Sequence, residues 1–397
     1  MNKNFPKILV YMQEDRLAFK GGPFAVGYCY YHEMKRRGEN SLTFLPPSLN
    51  VKKKNDEVNN KTEENKSVLS LLIHNIHIYL WLLFKYFKAS PIHHKFDGFD
   101  IVHFHSTQEL HRERKNLKRY NGKVILQSHS PMPLGEELYD LIDFKYKKFV
   151  PFFKKKLREM DRYAFNRADF ILFPCEDAEE PYLNRWEEYK EIRRRKKNSY
   201  RYVLTGIPAV EASRTKVQVI EELKLKDDSF IVSYAGRHNE AKGYDILKRI
   251  AEVFLKRHEK AVFVVAGKES PLTRLNHKRW IELGWTDDVK SYIAASDVFI
   301  LPNRETYFDL VMIEVLSLGK IIVASRTGGN KYFEKNHCEG VFLYDSEEEC
   351  ISILHKISQM SKEERISYGQ KNKDFYAKKL TVECMYDNYI DMILSIV

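Results

Sequence analysis

Short runs of consecutive apolar residues recur along the chain, and each one ends in polar or glycine residues. In the first half these runs lie at residues 7–11, 100–104, 124–128 and 169–173. Continuous apolar runs are typical of parallel strands that are buried on both faces of a sheet. After the first run come a glycine turn, Gly21-Gly22-Pro23, and a helical pattern from about Ala25 to Arg37. This order predicts the opening of a doubly wound α/β domain.

A second series of the same kind begins near residue 230. Its apolar runs lie at residues 230–236, 261–267, 297–302 and 320–325, with helical patterns over 245–257 and around Glu314. Two successive series predict two Rossmann-like domains with parallel sheets. We expect an N-terminal domain over residues 1–205 and a C-terminal domain over residues 206–375. A helix over residues 376–397 is expected to pack back on the N-terminal domain.

Three segments depart from this rhythm. Residues 51–67 are polar without an apolar period, which predicts a mobile loop. Residues 68–87 are strongly apolar but include His74, His77 and Lys85, so a core or interfacial helix fits better than a membrane span. Residues 144–167 interleave lysines with phenylalanines, a pattern that suits either an anionic lipid surface or solvated helices that cover a core.

The bulk composition limits the class of protein. The chain has 397 residues, of which 43% are hydrophobic and 30% charged, and its net charge is +11. These values are typical of a globular protein with an affinity for anionic partners. The five cysteines are widely spaced and form no CxxC pair, which argues against a disulfide scaffold or a zinc site. No secretory signal is recognisable at the start, so we expect a cytoplasmic protein.

Two segments of the second series carry candidate chemistry for binding phosphate. The segment 236–243 follows a strand and precedes a helix, and it contains Arg237 and Lys242. These cations could converge on a diphosphate, although a solvated basic loop is equally compatible with the pattern. The second segment leads into a helix that is expected to begin near Asp309, a good N-cap residue. The Leu310 and Val311 amides would then point at an anion, and Glu314 could accept from ribose hydroxyls or complement the helix dipole.

Three stretches of the second half occur in the order and spacing of a known family. They are YAGRHNEAKGYDIL, ELGWTDDVKSYIAASDVFILPN and ETYFDLVMIEVLSLGKIIVASRTGG. Together they resemble the donor domain of retaining GT-B glycosyltransferases of family 4, the group 1 type. The resemblance is close over residues 230 to 330 and looser elsewhere. It implies a GT-B fold with two parallel sheets facing across a cleft, an acceptor-binding N-terminal domain and a donor-binding C-terminal domain.

The resemblance also implies roles for individual residues. Arg237 and Lys242 would bind the donor diphosphate, the Leu310 and Val311 amides would face the distal phosphate, and Glu314 would bind the nucleotide ribose. Gly21 and Gly22 correspond to the family's glycine loop beside the donor phosphate. His129 corresponds to a histidine near the donor sugar, although a surface histidine remains an alternative.

One part of the family's E-x7-E motif does not match. Counting back from Glu314 places Thr306 at the first acid, while Glu305 lies one position too early. The family's usual Phe-Gly is Phe308-Asp309 in this chain. Glu305 is therefore a candidate, and whether Glu305 or Asp309 contacts the donor sugar stays open.

The reaction implied is transfer of a sugar, with retention, from a nucleotide diphosphate sugar to a saccharide or lipid-linked saccharide, as in bacterial cell-surface polysaccharide synthesis. No metal and no cofactor is expected, since fixed cations and amides can stabilise a departing diphosphate. A peripheral site on the inner face of the cell membrane is a further expectation. Sugar phosphorylases and nucleotide-sugar epimerases share the architecture and remain alternatives. A nucleic-acid-binding protein would explain the positive charge but not the three motifs, so no nucleic-acid partner is expected.

Overall fold

The computed structural model describes residues 5–12, 22–45, 69–70, 72–73, 76–77, 80, 87–130, 132–140, 151–269 and 271–397. Gly21, the loop at 51–67, part of the 68–87 stretch and residues 144–150 of the basic segment therefore lie outside the described residues. The chain divides into two compact units. Unit 1 comprises Met1–Phe173, Tyr182–Tyr202 and Ile390–Val397, and unit 2 comprises Pro174–Pro181 and Val203–Tyr389.

Unit 1 is built on a sheet of six parallel strands in the order β2-β1-β3-β4-β5-β6. The strands are β1 (Ile8–Tyr11), β2 (Leu42–Leu45), β3 (Ile101–Phe104), β4 (Lys123–Gln127), β5 (Phe170–Phe173) and β6 (Tyr200–Tyr202). The helices in this part of the chain are α1 (Gly22–Arg36), α2 (Thr107–Arg112), α3 (Arg114–Leu117), α4 (Leu134–Asp140), α5 (Pro151–Arg167), α6 (Glu180–Arg185) and α7 (Glu187–Arg195). All residues of β1 and β3 are buried, as the continuous apolar runs predict.

Unit 2 repeats the plan with the strand order β12-β11-β10-β7-β8-β9, again entirely parallel. The strands are β7 (Phe230–Ala235), β8 (Ala261–Ala266), β9 (Trp280–Gly284), β10 (Val298–Leu301), β11 (Ile321–Ser325) and β12 (Val341–Tyr344). The helices in this part of the chain are α8 (Lys216–Glu222), α9 (Tyr244–Arg257), α10 (Val289–Ala295), α11 (Leu310–Ser317), α12 (Lys331–Lys335), α13 (Glu347–Gln359), α14 (Lys362–Lys379) and α15 (Val382–Ile396), whose residues from Ile390 onward belong to unit 1.

Helices cover both faces of the second sheet. Val232 of β7 packs in a cluster with apolar residues of α9 and α13. Its neighbour Ile231 packs in a different cluster, with residues of α8 and α10. Successive side chains of a strand point to opposite faces, so a strand covered on both sides is apolar at most positions. This confirms the predicted fold class of doubly wound α/β units with parallel sheets.

The structure corrects the expectation for the first glycine turn. Gly22 and Pro23 are the first residues of α1 rather than part of a turn, and the helix ends one residue before the expected Arg37. Proline is accepted in the first turn of a helix because its missing N–H would have no partner there. The sequence patterns also missed four strands, namely β2, β6, β9 and β12.

Candidate functional site

The loop after β7 is held in place by buried aromatic contacts. Tyr234 donates a hydrogen bond from its hydroxyl to the Arg237 carbonyl oxygen (3.1 Å). The neighbouring His238 is fully buried and stacks on Tyr244, with ring centroids 3.9 Å apart. Burial lowers the pKa of the His238 imidazole to about 4, so the ring is neutral near pH 7. These buried contacts fix the position of the loop backbone, while the Arg237 side chain is exposed.

Arg237 lines a cavity of about 640 Å³ at the carboxyl ends of β7 and β8. Two glycines form part of its wall, Gly236 and Gly267. Gly267 has φ +148°, and a Cβ atom there would lie 1.9 Å from the Gly236 carbonyl oxygen, so only glycine fits. Trp285 closes another side with 74% of its surface exposed. A cavity of this size and position suits a small-molecule ligand.

Lys242, at the far end of the same loop, is paired with a carboxylate. Its Nζ atom lies 2.8 and 2.9 Å from the two carboxylate oxygens of Asp309. Asn303 donates a further hydrogen bond from Nδ2 to Asp309. The next residue, Gly243, has φ +62° and approaches the Pro302 carbonyl so closely that a Cβ atom would lie 1.7 Å from its oxygen. The loops after β7 and β10 are therefore in direct contact.

Helix α11 begins immediately after Asp309, as predicted, but the Asp309 side chain makes no capping hydrogen bond. The Met312 amide bonds to the Asp309 carbonyl (3.1 Å), and the Leu310 and Val311 amides precede it at the open end of the helix. Glu314, one turn further on, is half-buried. Burial raises the pKa of its carboxyl, and the charge of Lys290 opposes that shift.

The loop that carries Glu305 is hydrogen-bonded to the loops after β7 and β11. The Arg304 amide donates to the Ala241 carbonyl oxygen (3.1 Å), and the Arg304 guanidinium binds Asp245 (2.6 Å). On the other side, Thr327 Oγ1 donates to the Arg304 carbonyl oxygen (3.2 Å). Glu305 is half-buried within this arrangement. Three strand-end loops of unit 2 thus meet at one edge of the sheet.

In unit 1, His129 lies two residues beyond β4, at the carboxyl edge of that sheet. It is half-buried, and its Nε2 atom lies 2.9 Å from Nδ1 of His105, which follows β3. Burial lowers the pKa of His129 to about 3. Gly22 of the same unit is the first residue of α1, while Gly21 lies outside the described residues.

The structure places the predicted residues of unit 2 on loops at the carboxyl edge of its sheet and in the first turns of α11, but not around the single cavity that Arg237 lines. Lys242 reaches the start of α11, whereas Arg237 faces the cavity, whose lining includes none of Lys242, Glu305 or Glu314. Two contributors went unnoticed in the sequence: Trp285 in the cavity wall and Asp309 as the partner of Lys242. A tryptophan directly after Gly284, next to the polar residues Thr286 and Asp287, was the available signal for the first.

The described residues contain no group of three or more His, Cys, Asp or Glu side chains arranged to hold a metal ion. None of the described helices is long and apolar enough to cross a bilayer.

Comparison with known proteins shows a similarity to one family over part of the chain. Residues 229–362 match the family model of the glycosyl transferases group 1. A UDP-Gal:alpha-D-GlcNAc-diphosphoundecaprenol alpha-1,3-galactosyltransferase of Escherichia coli is 25% identical over 202 residues. That match covers 47% of this chain and 51% of the relative, so the similarity spans about half of each protein.

Solved structures extend the similarity of fold to nearly the whole chain. The Anabaena protein HepE, crystallised with UDP-glucose, covers 99% of this chain with a TM-score of 0.61 and 14% identity, and all of HepE is matched. A sucrose-phosphate synthase from Thermosynechococcus elongatus covers 98% with a TM-score of 0.65 and 14% identity, over 99% of its own chain. At such low identity the likeness concerns the fold. Residues 229–362 are thus similar to the glycosyl transferases group 1, and the fold of the chain is that of the GT-B glycosyltransferases.

Proposed function

We propose that this protein is a retaining, metal-independent glycosyltransferase that moves a sugar from a nucleotide diphosphate sugar to a saccharide or lipid-linked saccharide. We propose its role in the synthesis of a bacterial cell-surface polysaccharide. The E. coli relative acts, by its name, on a diphosphoundecaprenol-linked sugar with UDP-Gal as donor, and HepE was crystallised with UDP-glucose. Both names support a nucleotide-sugar donor for this chain.

The observation that carries the proposal is the arrangement of loops in unit 2. A cavity of about 640 Å³ has an arginine at its rim, and its wall includes an exposed tryptophan and two glycines. The face of the Trp285 ring can stack on a nucleobase, and the planar guanidinium of Arg237 can donate two hydrogen bonds to a phosphate. Lys242 and the open end of α11 lie at the adjacent strand end.

These groups can supply the electrostatic part of the reaction. As the bond between sugar and diphosphate breaks, negative charge develops on the departing phosphate oxygens. Arg237, Lys242 and the Leu310 and Val311 amides are fixed donors that would stabilise this charge without reorganisation. Glu314 would accept from the ribose hydroxyls. The Lys242 ammonium must share or leave its contact with Asp309 to reach the phosphate.

We also propose that the protein binds an anionic membrane surface, where a lipid-linked acceptor would lie. Of the described residues between 69 and 80, five are large apolar side chains with at least 44% of their surface exposed: Leu69, Leu72, Ile73, Ile76 and Leu80. Their spacing places them on one face of a helix. Phe87 packs against a buried cluster that includes Phe153 and Leu157 of α5, and that helix exposes Lys155 and Lys156. We propose that these exposed apolar residues and lysines form one surface that inserts into an anionic bilayer.

The donor site is tested by calorimetric titration of the purified protein with a panel of nucleotide sugars and nucleoside diphosphates. We expect one nucleotide to bind, and Trp285→Ala to weaken it about tenfold or more, since stacking on one base contributes about 1–3 kcal/mol. Arg237→Ala should weaken the binding of nucleoside diphosphates more than the binding of the nucleoside alone. Ile366→Ala is the matched control. Ile366 is likewise an exposed apolar residue, with 60% of its surface accessible, but it lies on α14 and does not line the cavity. Equal binding by all variants would contradict the proposed site.

The reaction itself is tested with the donor so identified. Transfer to an added saccharide, with the anomeric configuration of the product read by NMR, separates a retaining transferase from an inverting one. A phosphorylase would instead require inorganic phosphate, and an epimerase would convert the donor without an acceptor. Activity that is lost in EDTA and restored by a divalent cation would contradict metal independence.

A further inference from the structure

Two histidines of unit 1 form a direct imidazole pair. The Nδ1 atom of His105 and the Nε2 atom of His129 are 2.9 Å apart. The two ring planes differ by only 6°, while the ring centroids are 5.1 Å apart. Nitrogens this close cannot belong to rings stacked face to face, so the rings meet edge to edge in nearly one plane. This is the geometry of an N–H···N hydrogen bond directed along an in-plane lone pair.

The pair has two neutral arrangements of protons. In the first, His105 donates from Nδ1 to the His129 Nε2 lone pair, which leaves His129 with its proton on Nδ1. In the second, His129 donates from Nε2, which requires His105 to carry its proton on Nε2. The protonated forms are disfavoured, because burial holds the pKa of both rings far below its ordinary value.

The surroundings of His105 distinguish the two arrangements. His105 is 1% exposed, and its Nε2 atom has no hydrogen-bond partner among the residues that the structure describes. The second arrangement would bury an N–H group without an acceptor, whereas the first leaves only an unpaired acceptor there. Orphaned buried donors are the rarer and costlier case. A free imidazole slightly prefers the Nε2–H form, and the burial of an unpaired donor outweighs this small preference.

We propose that His105 is a positioning residue that fixes His129 as a neutral imidazole with its proton on Nδ1. None of the described residues hydrogen-bonds this Nδ1 atom, and the half-buried ring is available to a ligand. His129 then presents a hydrogen-bond donor to a sugar or phosphate oxygen. It cannot accept a proton at that atom, so it is not a general base. This inference rests on the proposed function for the identity of the ligand only.

The protonation states can be read directly in the full-length protein. Long-range ¹H–¹⁵N correlation spectra of protein labelled with ¹⁵N-histidine report which ring nitrogen carries the proton. The His105 and His129 signals are assigned by their loss in His105→Asn and His129→Gln variants. We expect Nδ1–H on both residues at pH 7. Nε2–H on both residues would overturn the proposal, whether or not the protein transfers sugar.

Activity provides the second readout. The amide of His105→Asn can place an N–H donor where Nδ1 stood, whereas His105→Phe removes it. We expect His105→Phe to lower kcat/KM for the donor about tenfold, the effect of losing one well-placed hydrogen bond, and His105→Asn to recover most of that loss. The surface variant His355→Asn is the control. Equal losses in the Asn and Phe variants would contradict a role for the donated hydrogen bond. If no variant, including the wild type, transfers sugar, the proposed function fails while the spectra still decide the tautomer.

Discussion

At the scale of residues, Asp309 stands where the resemblance to family 4 places a glycine. Its carboxylate binds both Lys242 and Asn303 at the start of α11. A carboxylate at this position neutralises a cation that the proposed diphosphate needs, and it adds negative charge beside the phosphates. The same side chain is also one of the two candidates, with Glu305, for a contact to the donor sugar. A single substitution distinguishes these roles.

We predict that Asp309→Asn binds a nucleoside diphosphate about fivefold to tenfold more tightly than the wild type, because Lys242 is released and a repulsive charge is removed. Isothermal titration with the nucleotide found in the screen measures the change. Asp245→Asn is the control, since Asp245 pairs with Arg304 and Arg249 rather than with Lys242. If Asp309→Asn leaves nucleoside diphosphate binding unchanged but weakens the complete nucleotide sugar, Asp309 contacts the sugar instead.

At the scale of elements, a buried carboxylate joins three helices of unit 1. Asp161 of α5 accepts hydrogen bonds from Thr107 Oγ1 of α2 (2.6 Å) and from the Gly135 amide of α4 (2.7 Å). Burial raises the pKa of Asp161 from 3.8 to about 6, although both hydrogen bonds act to lower it. The folded protein therefore holds this proton more tightly than the unfolded chain does.

This difference predicts a pH dependence of stability. A raised folded-state pKa favours folding most below pH 3.8, and the contribution is lost as the pH rises to about 6. The amide of Asp161→Asn can accept from the Gly135 amide and donate from Nδ2 to Thr107 Oγ1, so both contacts persist without a charge and its free energy of unfolding should lack this decline. Relative to the variant, the wild type should lose up to about 3 kcal/mol between pH 4 and pH 7.

Urea unfolding of unit 1, followed by hydrogen exchange of α2, α4 and α5, measures the two curves. Asp97→Asn serves as the control because it makes the same chemical change at a largely exposed position. Parallel curves for the wild type and Asp161→Asn would show that the carboxyl is not desolvated in the native state.

At the scale of the whole molecule, the net charge of +11 is large enough to attract an anionic surface. The charge alone does not select a lipid bilayer over nucleic acid. The exposed apolar residues between 69 and 80 make the difference, since they gain from insertion into a bilayer and gain little from a phosphate backbone.

We predict that the protein floats with vesicles that contain anionic lipid and that Lys155→Glu with Lys156→Glu weakens this binding at least about tenfold, since each lysine near such a surface contributes about 1 kcal/mol. Added salt should likewise weaken the binding of the wild-type protein to these vesicles. Lys190→Glu with Lys197→Glu makes the same change of charge elsewhere in unit 1 and is the control. Failure of the wild type to float, or stronger binding to nucleic acid than to vesicles, would contradict the proposed surface.

Much of this molecule follows from local pattern. Largely apolar runs such as residues 230–235 were sufficient to predict two parallel α/β sheets, because a strand covered on both faces buries nearly all its side chains. The strands that were missed are short or mixed in character. In β9, for example, only Trp280 is fully buried and the other four residues are half-buried, so no continuous apolar run marks the strand.

Motif spacing likewise predicted that the loops of unit 2 carrying candidate residues such as Lys242 lie at the strand ends, since parallel strands bring their carboxyl ends to one edge. Tertiary structure decided what those residues touch. The pairing of Lys242 with Asp309, 67 positions away, and of His105 with His129, 24 positions away, depends on which strands become neighbours in the sheet. Local sequence records the propensity of a segment, whereas the partner of a side chain and the solvent it loses are set only when distant segments pack together.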